Sequence, residues 1–302
     1  MRCANCGETI AASYCGACGQ HRFRPQDRRL MHLLREFAEA LTDLDGRFWR
    51  SMRALLLRPG LLSRDYIAGR RARWMSPVSL FLLANVLYFF APGMSDFDLP
   101  LRDHVRGAVV AQFDPAIAAL PAERRASIEA NAGQLHSRFT EPWVRARLAA
   151  LVREAPEGSA FAALEQRYAI ASANVSKALI VLHVPFMAVV LLLAMAGRGR
   201  YFAEHVVVAL HYFAFVLFLF ELVVLPGAWL AERAGADAAA GIALRYLLPA
   251  ALGVYGVIAV RVAYDCGWWR ATLAGLALPI ALLAINLTIY RALQFAVVLA
   301  LA

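Results

Sequence analysis

An all-α chain that threads a membrane about five times, with a small cysteine-built head at its N-terminus, is the fold class this sequence predicts. Three observations predict it. Hydrophobic residues make up 61% of the 302 and mean hydropathy is +0.54, whereas soluble domains are ~45–50% apolar. Long apolar runs recur from Pro77 onward, and four of the five cysteines lie between Cys3 and Cys18.

Cys3-Ala-Asn-Cys6-Gly7 and Cys15-Gly-Ala-Cys18-Gly19 are near-copies of one motif, separated by eight residues. Each Cys-x-x-Cys turn can place two thiolates on one tetrahedral Zn²⁺, and the following glycine admits the positive φ that turns backbone N–H groups back toward sulfur. Two facing turns would make a minimal zinc ribbon over residues 1–20, with Cys3, Cys6, Cys15 and Cys18 as metal ligands. A redox pair or a disulfide hairpin is the alternative. The duplicated spacing, a reducing compartment and the lack of a thioredoxin-like context favour zinc. Cys266, alone near a membrane boundary, reads as an ordinary apolar residue.

Basic residues are unevenly spread. Residues 1–76 hold 14 arginines against 7 acids, and residues 95–176 hold 9 against 10. That asymmetry predicts a cytoplasmic N-terminus. Lys177 is the single lysine among 31 basic residues, a usage that matches a GC-rich bacterial genome, so a multi-pass bacterial inner-membrane protein is expected. The first long apolar run starts near residue 77, so no signal peptide is expected and that span inserts as an anchor.

Residues 21–76 read as cytoplasmic amphipathic and interfacial helices. Leu30, Leu33, Leu34, Phe37, Ala38, Leu41 and Leu44 recur by three and four, opposite Arg35, Glu36, Glu39 and Asp43, which is helical periodicity. A second helix carries Phe48, Trp49, Met52, Leu55 and Leu56 against Arg47, Arg50 and Arg53, and ends at Arg58-Pro59-Gly60. It suits either the headgroup plane or a small cytoplasmic cap. Arg22, Arg24, Arg28 and Arg29 lack interleaved aromatics apart from Phe23, so anionic lipid headgroups are the expected counterpart and nucleic acid is not.

The segment Arg58 to Phe90 is a membrane entry point: Arg64, Arg70, Arg71 and Arg73 precede Trp74, and the apolar run follows. In its motif, Tyr66 and Trp74 suit headgroup level and Gly69 a tight turn. Asp65, in the motif with Arg70, is expected to pair with a neighbouring arginine rather than to act in catalysis. The paired Cys-x-x-Cys-Gly, Gly19-Gln20, the Leu56 to Gly60 run and Arg64-Asp65-Tyr66-Ile67-Ala68-Gly69-Arg70-Arg71 leading to Pro77 together resemble a bacterial family called domain of unknown function 3667. The resemblance covers roughly the first 90 residues. It implies a zinc ribbon joined to a multi-span helical region, and no activity.

The expected spans are 77–92, then Ala178–Met195, His205–Trp229, Leu244–Tyr264 and Ala271–Tyr290, within a C-terminal region 178–302. The first is short for a bilayer that needs ~20 residues. Residues 95–176 read as an extracytoplasmic helical loop punctuated by Pro115, Pro121, Pro142 and Pro156. Pro185, Pro249 and Pro279 are expected to kink three spans. The last eleven residues either extend the final helix or lie along the outer interface.

Buried polar residues are the remaining candidates. An isolated carboxylate in hydrocarbon is costly, so Glu221 needs a partner, and His183 lies at a compatible depth. With Asn286 these could form a proton or ion path; a hydrogen-bonded pair that fixes packing is the plainer reading. No metalloprotease, nucleophile-elbow or acidic metal motif is present in the sequence. The expected function is therefore a non-enzymatic adaptor or membrane-organising protein, which can bind a protein partner through its ribbon and is compatible with an oligomer. The alternative is a small transporter.

Overall fold

In a bilayer the backbone must satisfy its own N–H and C=O groups, so long apolar stretches fold as helices. A computed structural model of the chain describes residues 2–10, 13–20, 46–90, 99–154 and 159–302. Regular structure there is helical apart from isolated bridges such as that of Arg2 with Thr9. In chain order the helices are α1 Gly46–Leu57, α2 Leu61–Ile67, α3 Pro77–Phe90, α4 Leu101–His104, α5 Gly107–Phe113, α6 Pro115–Ala118, α7 Ala122–Glu129 and α8 Ser137–Glu154. Then follow α9 Ala160–Leu179, α10 His183–Ala194, α11 Phe202–Leu219, α12 Leu225–Arg233, α13 Asp237–Ile242, α14 Leu248–Tyr264, α15 Trp268–Ile285 and α16 Arg291–Leu301. The helix expected over residues 29–44 lies outside the described residues.

Four continuous helical runs among the described residues are long and apolar enough to cross a membrane: Val175–Ala194, Phe202–Arg233, Ala238–Tyr264 and Trp268–Leu301. The chain is an all-α polytopic membrane protein. The first expected span, 77–92, is represented by α3, whose 14 residues rise about 21 Å at 1.5 Å each. That is less than the ~30 Å of hydrocarbon.

Proline explains most of the irregular turns in these runs. Its ring clashes with the carbonyl four residues back and it offers no N–H. Widened π turns at Phe220–Val224 and Ala243–Leu247 contain Leu222 and Arg245, the residues four before Pro226 and Pro249. A 3₁₀ turn at Ile180–Leu182 likewise contains Val181, four before Pro185. Pro279, expected to kink its span, sits inside α15 with no break in the helix. The third π turn, Asn286–Tyr290, has no proline after it; there Thr288 Oγ1 donates back to the Ala284 carbonyl at 2.6 Å.

The chain forms two compact units. The first comprises Met1–Pro92 and Val184–Ala281. In it α3 lies along α11, with Leu80, Phe81, Ala84 and Tyr88 buried and the Phe81 ring 5.4 Å from that of Phe213. Ser76 caps α3: its hydroxyl accepts from the Ser79 N–H at 3.1 Å, and Pro77 occupies the first helical position, where no N–H is needed. Just before it, the Met75 N–H donates to Ser51 Oγ of α1 at 2.9 Å. In α1, Phe48, Ala54 and Leu55 are buried while Trp49 remains 62% exposed. Helices α14 and α15 cross at Gly256 and Gly275, where an added methyl on Gly275 would stand 2.4 Å from the Val257 backbone. Small residues at such a crossing let backbones touch and gain dispersion contacts that lipid cannot supply.

The second unit comprises Gly93–His183 and Leu282–Ala302. Helices α9 and α16 form its spine, and Phe161, Leu164 and Tyr168 meet Phe295, Val298 and Leu299 in the core. Gln294 donates to Ser172 Oγ and Ser176 Oγ at 3.2 and 2.7 Å, and the Tyr290 hydroxyl donates to the Ser176 carbonyl at 3.2 Å. The final residues thus extend the last helix, and their apolar face is held in this core rather than along an interface. Pro115 opens α6 and Pro121 caps α7, whereas Pro142 lies inside α8; Pro156 is outside the described residues.

Replacing Gly275 with Val should lower the detergent melting temperature, with a loss of about 1–3 kcal/mol from overpacking at the crossing. The same change at Gly227, where an added methyl meets nothing within 4 Å, should leave melting nearly unchanged.

Candidate metal centre and membrane-entry hub

The two cysteine turns repeat each other in backbone as well as in sequence. In the first, the Cys3 N–H donates to the Glu8 carbonyl at 2.7 Å and the Gly7 N–H returns to the Cys3 carbonyl at 2.9 Å. In the second, the Cys15 N–H donates to the Gln20 carbonyl and the Gly19 N–H to the Cys15 carbonyl, both at 2.9 Å. Gly7 and Gly19 have φ of 82° and 72°, the left-handed conformation that glycine adopts without strain. The four sulfurs lie within 4.8 Å of one another, with Cys3 to Cys18 at 3.6 Å and Cys6 to Cys15 at 3.5 Å. Ligands ~2.3 Å from a tetrahedral metal ion are separated by about 3.8 Å, while a disulfide needs about 2.05 Å. The four thiols can therefore hold one metal ion. Cys3 and Cys15 are buried and Cys6 is exposed.

The head is fastened to the entry segment by one side chain. Gln20 Nε2 donates to the Gly69 carbonyl at 2.7 Å, and Gln20 Oε1 accepts from the Arg71 N–H at 3.2 Å. Gly69 has φ of 81°, and a methyl there would stand 3.0 Å from the Ala4 side chain, so the turn both needs the left-handed conformation and admits the head closely.

Inside that turn lies Asp65, whose side chain is 1% exposed. Its Oδ1 accepts from Arg70 Nη2 at 2.7 Å and Nε at 3.2 Å, and its Oδ2 from Arg73 Nη2 at 2.7 Å and Trp74 Nε1 at 3.0 Å. Burial alone would raise the carboxyl's pKa; the bonds from Arg70, Arg73 and Trp74 overcome it and hold the pKa down to about 2. The Asp65 carbonyl also accepts the Arg70 N–H at 2.8 Å. Arg71 lies over the Tyr66 ring at 4.0 Å and Arg73 over the Trp74 ring at 4.8 Å. Pairing of Asp65 with a neighbouring arginine was expected, and both Arg70 and Arg73 supply it; the bond from Trp74 and the role of Gln20 were not expected.

On the other face of α2, Ser63 Oγ meets His211 Nδ1 of α11 at 2.9 Å. Beside them is a cavity of about 10 Å³ lined by Arg58, Tyr212 and Tyr255 among others, about the size of one water. The Tyr255 hydroxyl donates to the Leu55 carbonyl at 2.7 Å. Hydrogen bonds thus hold α1 and α2 against the membrane-type helices.

With this geometry in view, a scan of family models returns one match. Residues 45–89 match the family described as a protein of unknown function, DUF3667. The matched segment contains α1, α2, the whole Asp65 turn and α3 up to its penultimate residue, and does not include the cysteine head. No curated protein and no solved structure matches the chain.

The remaining sequence candidates fall in separate settings. His183 Nδ1 meets the Ile180 carbonyl at 3.0 Å and its ring packs on Tyr290 at 4.9 Å. Glu221 stands in the first π turn of the other unit. Its Oε2 is buried without a hydrogen-bond partner among the described residues. Asn286 opens the third π turn and is buried. Cys266 is buried, with only a long 4.0 Å contact from its sulfur to the Val260 carbonyl.

One cluster in the second unit carries no sequence signal. His104 Nδ1 lies 3.1 Å from His136 Nε2, and His136 Nδ1 lies 3.3 Å from Thr140 Oγ1. Both rings pack on Phe295, at 5.2 and 4.8 Å. Thr140 Oγ1 donates to the His136 carbonyl, so it accepts from His136 Nδ1–H. His136 Nε2 then accepts from His104, and both rings are neutral. Burial pushes His104 down to about 3, helped by His136 and Arg291, and burial with Arg291 pushes His136 down to about 4. The partners are 32 residues apart, which no periodicity reveals.

Two outcomes are expected. Asp65→Asn should cost about 2–3 kcal/mol, because three donors lose a charged acceptor while Arg70 and Arg73 regain water in part; a detergent melt relative to wild type measures it. For the histidines, the unfolded chain takes up protons near pH 6.5 and the folded pair only near 4 to 3. The second unit's stability should therefore be full above about pH 6.5 and fall steadily as pH drops toward 4. His136→Gln should flatten that slope in a pH-melting series.

Proposed function

We propose that the protein is a non-enzymatic membrane adaptor whose N-terminal head, on the cytoplasmic side of a bacterial inner membrane, binds one zinc ion and offers its outer face to a protein partner. Support for zinc comes from the donor set: four thiolates in paired Cys-x-x-Cys turns with near-tetrahedral sulfur spacings suit a closed structural site. The observation that carries the adaptor reading is the two-point bond of Gln20 to Gly69 and Arg71. It fixes the head to the membrane-entry turn and leaves Glu8, Thr9 and Tyr14 outward, with Tyr14 62% exposed. Cys3, Cys6, Cys15 and Cys18 would hold the ion, which supplies folding free energy and no chemistry at an open position.

Full-length protein purified in detergent under reducing conditions should carry about one zinc per chain, and Cys15→Ser should lose it. Crosslinking in cells followed by mass spectrometry should join Tyr14 and its neighbours to a distinct protein, and Cys15→Ser should remove those crosslinks. Stoichiometric disulfides without metal would sink the zinc assignment. Zinc-loaded protein that crosslinks to nothing through the head would sink the adaptor role.

A further inference from the structure

Within the first unit, an open cleft of about 590 Å³ is lined by three arginines from three separate stretches of chain: Arg64 on α2, Arg200 before α11 and Arg261 near the end of α14. All three stand at ends of helices beside a membrane-type span, where phosphate groups of a leaflet lie. Trp268 and Trp269, 59% and 83% exposed at the start of α15, mark the same depth, since indole rings favour the headgroup layer.

The guanidinium groups differ in how far the protein already engages them. Arg261 is pre-set: its Nη1 donates to the Cys266 carbonyl at 2.9 Å and its plane covers the Trp268 ring at 4.2 Å. Arg200 donates to Glu204 one turn on, at 3.3 Å. Among the described residues Arg64 pairs with Asp65 alone, at 3.6 Å, and that carboxylate is already engaged by Arg70 and Arg73. Glu204 and Asp265 also line the cleft, so its formal charge is +1. Ile67 and Val262 supply an apolar wall.

We propose that this cleft holds the headgroup of an anionic phospholipid of the phosphatidylglycerol type. A phosphodiester carries one negative charge, which matches the net charge of the cleft. Arg64 and Arg261 can donate to its oxygens in forked pairs, while Glu204 and Asp265 accept from headgroup hydroxyls. The apolar wall suits the glycerol end and the first methylenes of the chains. The site is separate from the cysteine head and does not depend on the adaptor reading.

The test is native mass spectrometry of the full chain, released from nanodiscs that contain phosphatidylglycerol, phosphatidylethanolamine and phosphatidylcholine in equal parts. Wild type should retain one phosphatidylglycerol in preference to the others. Arg64→Gln, which disturbs the fewest protein contacts, should lower that retention about fivefold, and Arg64→Lys should restore part of it. Arg50→Gln, an exposed arginine elsewhere on the same unit, should change nothing. Equal loss in Arg50→Gln would reduce the effect to general surface charge and overturn the site. Equal retention of phosphatidylethanolamine would overturn the anionic assignment. Binding of inorganic phosphate or glycerol phosphate, with no lipid retained, would make the ligand soluble and overturn the lipid source.

Discussion

A buried carboxylate is tolerated only when its charge is matched and its lone pairs are filled, and the first unit is arranged around one that meets both conditions. Asp65 takes four hydrogen bonds from Arg70, Arg73 and Trp74. To supply them, the chain between α2 and α3 must curl back within nine residues, which places Gly69 in a left-handed turn. That turn presents the Gly69 carbonyl and the Arg71 N–H outward as an adjacent acceptor and donor, the pair a glutamine amide fits. The cysteine head attaches there through Gln20. The Ser51 hydroxyl and the Ser76 cap then start α3 in the position from which Phe81 reaches α11. One ion cluster thus sets where the head sits and where the first apolar helix begins.

The sequence was most legible where chemistry is local. The repeated cysteine turns, the positive-φ glycines after them, the pairing of Asp65 with neighbouring arginines and the long apolar helices all depend on spacings of a few residues. What escaped was contact between distant stretches. Nothing in the sequence joins Gln20 to Arg71, Ser63 to His211 or His104 to His136, because side-chain direction at long separation is set by packing. Proline was only partly readable. Pro185 and Pro249 match irregular turns at the carbonyls four residues back and Pro279 leaves α15 continuous, while the widened turn before Pro226 was not expected.

The second unit follows a different rule. Its centre is aromatic and neutral: two imidazoles share a proton between them against Phe295, and Gln294 ties α16 to α9 through two serine hydroxyls. A core of this kind keeps its hydrogen bonds only while the histidines stay uncharged. The first unit has the opposite dependence, since its central group must stay ionised, and a carboxyl held near pKa 2 remains so at any pH a cell meets.

The central claim is that the cysteine head and the Asp65 turn form one structural block through Gln20. Hydrogen–deuterium exchange on the full chain in detergent, with and without a zinc chelator, tests it most directly. If the claim holds, chelation speeds exchange in the head and also at Gly69 to Trp74, where the Arg71 N–H loses its acceptor, while α3 and α11 stay protected. Faster exchange confined to residues 2–20, with the entry turn unchanged, would contradict it.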